Sequence, residues 1–340
     1  MIIQQTPTVK EEDRRDVNTS NETNSEEEED SQKKNQNCEL MGSHAIADWI
    51  NSINIGSFFD LSSKFVRNHS ECFVYFDSYE NISLWVEPYG FYSHYSSKNN
   101  KKLDFNLGSI GAGLGGVFNV YDDIHLGGGV GYFHSSLKCK EGDSTTGING
   151  IYFGPAVQYL FSEGSVGLSL FGIGNFYNGK NSYEAKSWDV DIRVEADYML
   201  EAPADFFITN LTFHPFGRVD YLSVFEMSHQ DKKERHSSYF YSKLGMGMER
   251  VVFCNPTGVL TSRMDLGWIN MSPLSSSPIK CKTSNDESFD AKPESKNQLL
   301  LGLGLLGMYK NGLLIGVDYS AALGANAPIQ TGRVRFEWNW

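Results

Sequence analysis

The sequence predicts an all-β fold, a twelve-stranded antiparallel transmembrane β-barrel, on three observations. Segments between residues 82 and 340 alternate apolar and polar side chains with a period of two, the mark of strands. The connections between those segments alternate short and long, as they do when strands pass up and down through a membrane. Glycine and aromatic residues are both abundant, 33 Gly with 13% aromatic, which suits a crowded lumen and rings at the water–lipid boundary.

The expected strands lie near 82–95, 105–120, 124–137, 147–161, 165–177, 188–200, 206–226, 238–253, 258–270, 298–310, 312–324 and 332–340. The clearest alternation runs from Asp189 to Leu200. There Val190, Ile192, Val194, Ala196, Tyr198 and Leu200 interleave with Asp189, Asp191, Arg193, Glu195 and Asp197. From Leu313 to Leu323, odd-numbered Leu, Ile, Val and Tyr alternate with Gly316, Asp318 and Ser320. In the last strand Val334, Phe336, Trp338 and Trp340 share one face, and Arg333, Arg335, Glu337 and Asn339 the other. Glycines crowd the second face. Gly111, Gly113 and Gly115 stand against Ile110, Ala112 and Leu114, and Gly127, Gly129 and Gly131 against Leu126, Val130 and Tyr132. Small inward residues leave room for a helix or for long inward side chains.

The even-numbered connections, at 122–123, 162–164, 201–205, 254–257 and 311, are short. The odd-numbered ones, at 96–104, 138–146, 178–187, 227–237, 271–297 and 325–331, are longer. Short turns belong on the periplasmic side of such barrels. The expectation is an outer membrane of the Gram-negative type, with long loops extracellular and both barrel termini periplasmic.

Composition excludes other classes. No run of about 18 apolar residues exists, so no transmembrane helix is expected. The negative mean hydropathy is compatible with a barrel, whose strands show lipid only every second residue. The formal charge is -13, and no basic stripe supports nucleic-acid binding. Residues 1–40 hold eleven acidic and five basic side chains, with Glu26 to Asp30 in one run, and read as a disordered acidic segment. The first residues have no apolar core or cleavage site, so they do not read as a secretory signal. Residues 41–80 read as a linker with a helix, since Ile46, Trp49, Ile50 and Ile53 follow helical spacing. A plain amphipathic helix and a helix plugging the lumen both stay open. Residues 81–340 form the barrel domain. The five cysteines, Cys38, Cys72, Cys139, Cys254 and Cys281, form no CxxC pair, and their odd number precludes complete internal pairing. Cys139 and Cys281 fall in two outer loops, where an oxidising space allows them to pair.

The pattern resembles the autotransporter translocator domain of type V secretion. The resemblance is carried by LWVEPYGFYSHY (Leu84 to Tyr95), SIGAGLGGVFNVYDDIHLGGGVGYFHSSL (Ser109 to Leu137) and the terminal RVRFEWNW. It covers roughly residues 44–340. Chlamydial polymorphic outer-membrane proteins are one branch with this domain, although no array of their passenger repeats is present. The resemblance implies twelve strands, a helix in the lumen ahead of the first strand, and a terminal aromatic. It implies a barrel that anchors and exports an N-terminal passenger. Residues 1–80 are short and acidic, so the passenger reads as absent or truncated here.

Two sets of candidate residues follow. Val334, Phe336, Trp338 and Trp340 form the strand by which barrel precursors are read, through strand addition, by the assembly machinery. Asp189, Asp191, Arg193, Glu195, Arg218, Asp220, Arg263, Asp265, Asp318, Arg333 and Arg335 fall on the expected inward faces. They either neutralise one another or hold the lumen segment. Expected partners are outer-membrane lipid, the barrel assembly machinery, periplasmic chaperones and the chain's own passenger segment. No catalytic group, cofactor or metal is expected. The alternatives are a small porin, a surface adhesin working through the loop Met271 to Asn297, and an outer-membrane phospholipase. The last needs a Ser–His pair on a strand's outer surface; His134 can share a face with Ser136 but not with Ser135.

Overall fold

The computed structural model describes residues 82–96, 104–121, 123–139, 145–161, 163–178, 184–202, 211–227, 234–276, 279–282, 288–291, 296–324 and 328–339. Residues 1–81, with the expected acidic segment and lumen helix, and Trp340 lie outside them.

Twelve long strands form the wall: β1 (Ile82–Ser96), β2 (Asp104–Tyr121), β3 (Ile124–Cys139), β4 (Thr145–Phe161), β5 (Gly164–Asn178) and β6 (Glu184–Tyr198). The second half is β7 (Leu211–Glu226), β8 (Arg235–Asn255), β9 (Gly258–Ser276), β10 (Lys296–Tyr309), β11 (Leu313–Leu323) and β12 (Ile329–Asn339). Each pairs antiparallel with its neighbours in sequence, and β12 pairs with β1 from Ser83↔Asn339 to Ser93↔Ile329. The sheet therefore closes, and the all-β twelve-stranded expectation holds. Closure leaves no unpaired edge, the condition for a sheet to sit in lipid.

Several strands outrun the alternation that announced them. β6 begins at Glu184 rather than near 188, β8 at Arg235 rather than 238, and β9 continues to Ser276 rather than ending near 270. Beyond the membrane a strand keeps its hydrogen-bond ladder but no longer needs an apolar face, so the sequence signal stops before the strand does. Past β9 a small ribbon pairs Ile279–Lys282 with Ser288–Ala291 inside the expected long loop.

The short turns are built locally. Between β8 and β9 the Asn255 side-chain carbonyl accepts from the backbone N–H groups of Thr257 and Gly258, both at 2.9 Å, a side-chain-closed turn. Between β10 and β11, Gly312 takes φ 81°, a left-handed conformation that favours glycine. The expected short connection at 201–205 is more complex. Leu200–Glu201 pairs with Phe213 and Thr212 past a break at Met199, and the described part of β7 starts at Leu211.

The outer face is apolar and exposed: Leu114, Leu168, Ile192, Val194, Leu266 and Leu303 all face outward. Aromatic residues bracket this belt. Tyr92, Tyr132, Trp188, Phe225 and Trp268 stand toward the long loops; Phe118, Tyr159, Tyr198, Phe253 and Trp338 stand toward the short turns. Along β6 the sequence from Trp188 to Tyr198 crosses the belt. Ten residues rise about 33 Å along a strand, and a tilt of about 40° reduces that to about 25 Å, the height of an outer-membrane apolar band.

Glycines on the inner face are covered by rings from adjacent strands. A Cβ on Gly111 would meet Tyr89 Cζ at 2.6 Å. One on Gly113 would meet Tyr152 and Trp85, one on Gly131 would collide with Tyr152, and one on Gly150 with Phe133. The room left by these glycines is thus taken, at β1–β4, by long inward side chains of the wall itself.

Candidate functional site

The inner wall has three sectors. The first, on β1–β5, is aromatic: Trp85, Tyr89, Phe133, Tyr152 and Phe171 are buried there. Tyr89 and Tyr152 stand 6.5 Å apart between centroids at a tilt of 42°.

The second sector is ionic. On β6 and β7, Asp191, Arg193 and Asp220 have side chains with 0% exposure. Arg193 Nη2 donates to Asp191 Oδ2 at 2.9 Å and its Nε lies 3.4 Å from Asp220 Oδ1. Arg218 Nε donates to Asp220 Oδ1 at 2.9 Å and Oδ2 at 2.8 Å. Both guanidinium groups lie on rings, Arg193 5.2 Å from the centroid of Phe171 and Arg218 5.0 Å from that of Tyr241. Asn175 Nδ2 donates to Asp189 Oδ2 at 2.8 Å. Charges withdrawn from water are tolerated only when paired in this manner. Asp191 Oδ1, Arg193 Nη1 and Asn175 Oδ1 are nevertheless buried with no hydrogen-bond partner among the described residues.

The ionic lining continues around the wall. Arg263 Nε donates to Asp265 Oδ1 at 2.9 Å, and Arg333 Nε lies 3.4 Å from Asp318 Oδ2. At the β1–β12 seam, Arg335 donates to Glu337 through Nε at 3.0 Å and Nη2 at 2.8 Å, and its Nη1 lies 3.8 Å from Glu87. Ser83 Oγ completes the group by donating to Glu337 Oε1 at 2.7 Å. Between β7 and β8, His214 Nε2 lies 3.5 Å from Glu249 Oε2.

The residues expected on inward faces are thus brought into pairs. Glu195 is half-buried on the same face, its side chain against Gly167. Sequence reasoning left out Glu87, His214 and Glu249, and grouped Glu337 with the inward face without giving it a partner. A local signal was present. Asp191/Arg193, Arg218/Asp220, Arg263/Asp265 and Arg335/Glu337 are each an arginine and a carboxylate two residues apart. In a strand such positions share a face about 7 Å apart, a span that an arginine side chain folded along the strand covers.

The third sector is apolar. Val259, Leu306, Met308 and Leu314 form a buried cluster with Val251 packed against it, at the short-turn end of β8–β11.

On the outer face, Val334 and Phe336 are half-buried and Trp338 is exposed. Trp340 of the same set lies outside the described residues. His134 hydrogen-bonds Asn149 Oδ1 at 2.9 Å rather than Ser136. A Ser–His contact occurs elsewhere on the outer face: Ser223 Oγ and His236 Nε2 are 2.7 Å apart, with Phe225 stacked on the imidazole at 4.7 Å. No group of three His, Cys, Asp or Glu among the described residues is arranged to hold a metal.

Comparison with known proteins agrees with this architecture. The chain is similar in fold to the β-domain of the Bordetella autotransporter BrkA, at 12% identity over 77% of this chain and 100% of that one, TM-score 0.60. It is similar to the transport unit of the autotransporter AIDA-I from Escherichia coli, at 12% identity over 81% and 95%, TM-score 0.58. It is also similar to the translocator domain of the autotransporter NalP from Neisseria meningitidis, at 12% identity over 89% and 98%, TM-score 0.55. No curated protein matches the sequence. The family model for the autotransporter beta-domain matches residues 84–320. The chain belongs to the autotransporter β-domain family, the outer-membrane β-barrels that act as translocators.

Proposed function

We propose that this barrel anchors in the outer membrane and carries the chain preceding it outward through the lumen. One observation carries the reading: β1 starts at the short-turn end, where Ile82 opens the wall beside the end of β12. With short turns periplasmic and long loops outside, upstream chain can reach the surface only through the barrel. Residues 41–80 are the segment in the lumen, residues 1–40 the acidic stretch presented outside, and residues 81–340 the anchor. A helix over residues 41–70 would be about 45 Å long, enough to cross an apolar band of about 25 Å. The buried polar atoms of Asp191, Arg193 and Asn175 that lack partners on the wall offer such a segment its hydrogen bonds. No catalytic step is part of this role.

Delivery uses the last strand. Val334, Phe336, Trp338 and Trp340 are the side chains that the barrel assembly machinery reads as it pairs with β12 by strand addition, after periplasmic chaperones have held the unfolded precursor.

Two measurements test the reading. In planar bilayers the full chain conducts weakly, and deleting residues 41–70 raises conductance several-fold; an unchanged conductance overturns the lumen segment. An epitope placed before Met1 is reached by antibody on intact cells; an epitope reached only after the outer membrane is broken overturns export.

A further inference from the structure

Above the aromatic belt the outer face of β1–β6 changes character. Tyr92, Tyr132 and Trp188 mark the edge of the belt toward the long loops. Outward side chains recur every second residue along a strand. On these three strands the next outward positions, two residues nearer the long loops, are His94, His134 and Lys186. Two residues rise about 5 Å along the barrel axis at a tilt of about 40°, which puts these groups at the level of lipid headgroups.

The same arrangement is built twice. On β1 and β2 the Tyr92 hydroxyl donates to Asn106 Oδ1 at 3.2 Å, and His94 Nδ1 lies 2.8 Å from the same oxygen. On β3 and β4 the Tyr132 hydroxyl donates to Asn149 Oδ1 at 2.7 Å, and His134 Nδ1 lies 2.9 Å from that oxygen. An amide oxygen only accepts, so each Nδ1 carries a proton and donates. The neutral His134 ring then presents Nε2 as an acceptor, and Asn149 presents its Nδ2 as a donor.

Register adds a lysine to each pair. His94 stands opposite Asn106, and Asn106 opposite Lys138 on β3. His134 stands opposite Asn149, Asn149 opposite Phe176 on β5, and Phe176 opposite Lys186 on β6. Directly opposed residues point to the same face, and His134, Lys138, Phe176 and Lys186 are exposed on it. Each row therefore offers an ammonium beside neutral hydrogen-bonding groups. Lys138 and Lys186 are three strand spacings apart across the wall and four residues apart along it, about 20 Å in all. Their flexible stems let both ammonium groups lean toward one occupant. The other end of the same arc carries the opposite sign, since the turns after β2 and β4 expose Asp123 and Glu163.

We propose that this face binds a phosphorylated glycolipid of the outer leaflet, with Lys138 and Lys186 each meeting a phosphate and the His–Asn pairs taking sugar hydroxyls. Two ammonium groups on one strip match a headgroup that carries two phosphates on a sugar scaffold. A glycerophospholipid offers a single phosphodiester. The amide and imidazole groups between the lysines suit sugar hydroxyls, which both donate and accept. Tyr92 and Tyr132 lie below them, against the first carbons of the acyl chains. The site rests on the orientation in the proposed function, with the long loops outside.

The test is native mass spectrometry of the folded full chain in detergent, incubated with diphosphorylated lipid A or with phosphatidylglycerol. The expected result is one lipid A retained per barrel and no phosphatidylglycerol. Lys138→Gln/Lys186→Gln should weaken retention about ten-fold or more, while Lys138→Arg/Lys186→Arg keeps it. Lys310→Gln, in the short turn after β10, should leave it unchanged. Heat-modifiable gel mobility checks that each variant is folded. Equal retention of phosphatidylglycerol, or lipid A retention untouched by the double glutamine variant, overturns the proposal. Antibody access to a tag in the long loop after β9 reads orientation separately on intact cells. Lipid A binding by a barrel whose loop is reached only after the membrane is broken would sink the orientation and leave the lipid site standing. An accessible loop on a barrel that retains no lipid A would sink the site alone.

Discussion

Arg335 Nη1 in the last strand lies 3.8 Å from Glu87 Oε2 in the first, and the same guanidinium stands 5.1 Å from the ring centroid of Trp85. One arginine thus joins the two strands whose pairing turns a sheet into a barrel. Its stronger bonds run along its own strand, to Glu337 at 2.8 and 3.0 Å. The seam is held by backbone pairing, and the Arg335 guanidinium adds a charged contact across it.

That arrangement predicts a marked sensitivity at the seam. Arg335→Met leaves Glu337, with 0% side-chain exposure, facing a lost cation. Removing one partner of a buried pair costs about 3–5 kcal/mol. The folded barrel, read by its heat-modifiable gel mobility, should unfold at clearly lower temperature. Ser83→Ala removes only one hydrogen bond to the same carboxylate, about 1.5–3 kcal/mol for a charged acceptor, and should shift unfolding less. Equal shifts would show that Arg335 contributes no more than a hydroxyl.

The ionic sector should behave as a unit. Arg193→Met strands Asp191 and removes the second cation near Asp220. The double variant Arg193→Met/Asp191→Asn removes a buried charge together with its partner. It should be more stable than the single arginine variant in denaturant titrations of the detergent-folded barrel, because the uncompensated carboxylate is gone. Simple addition of the two single effects would contradict the coupling.

The aromatic sector gives a steric test with its own control. Gly131→Ala puts a methyl group into the ring of Tyr152. Overpacking of this kind costs about 1–3 kcal/mol. Adding Tyr152→Ala should recover part of the overpacking loss relative to the sum of the two single changes. Gly332→Ala, where a Cβ would meet nothing within 4 Å, should leave thermal unfolding unchanged. A matching loss at Gly332 would mean that backbone freedom, not the ring, is what Gly131 provides.

Much of the fold was legible because lipid imposes a period. From Asp189 to Leu200 every second side chain had to be apolar, and the strand there is placed within a few residues. The ends of β8 and β9 were not legible, since above the membrane polar side chains carry the ladder as well as apolar ones do. The inward charges were legible as a face but not as a network. Arg193 reaches Asp191 along its own strand and Asp220 across to the next, and only the second contact depends on register. Trp85 over Gly115 and Phe133 over Gly150 could not be paired in advance, because each needs the stagger between two strands.

The sequence alone determined the all-β class, the number of strands, their inward and outward faces and the gathering of the short turns at one end of the barrel. These follow from chain-local constraints: a period of two, and turns too short to do anything but reverse direction. The tertiary structure decided closure of β12 on β1, the partners of each buried charge, and the end of the barrel at which each cysteine of the wall lies. Those depend on shear and register, which slide every residue of one strand past another without altering the pattern along either. That is why Arg335 could be placed on the inward face from sequence, while its reach to Glu87 could not.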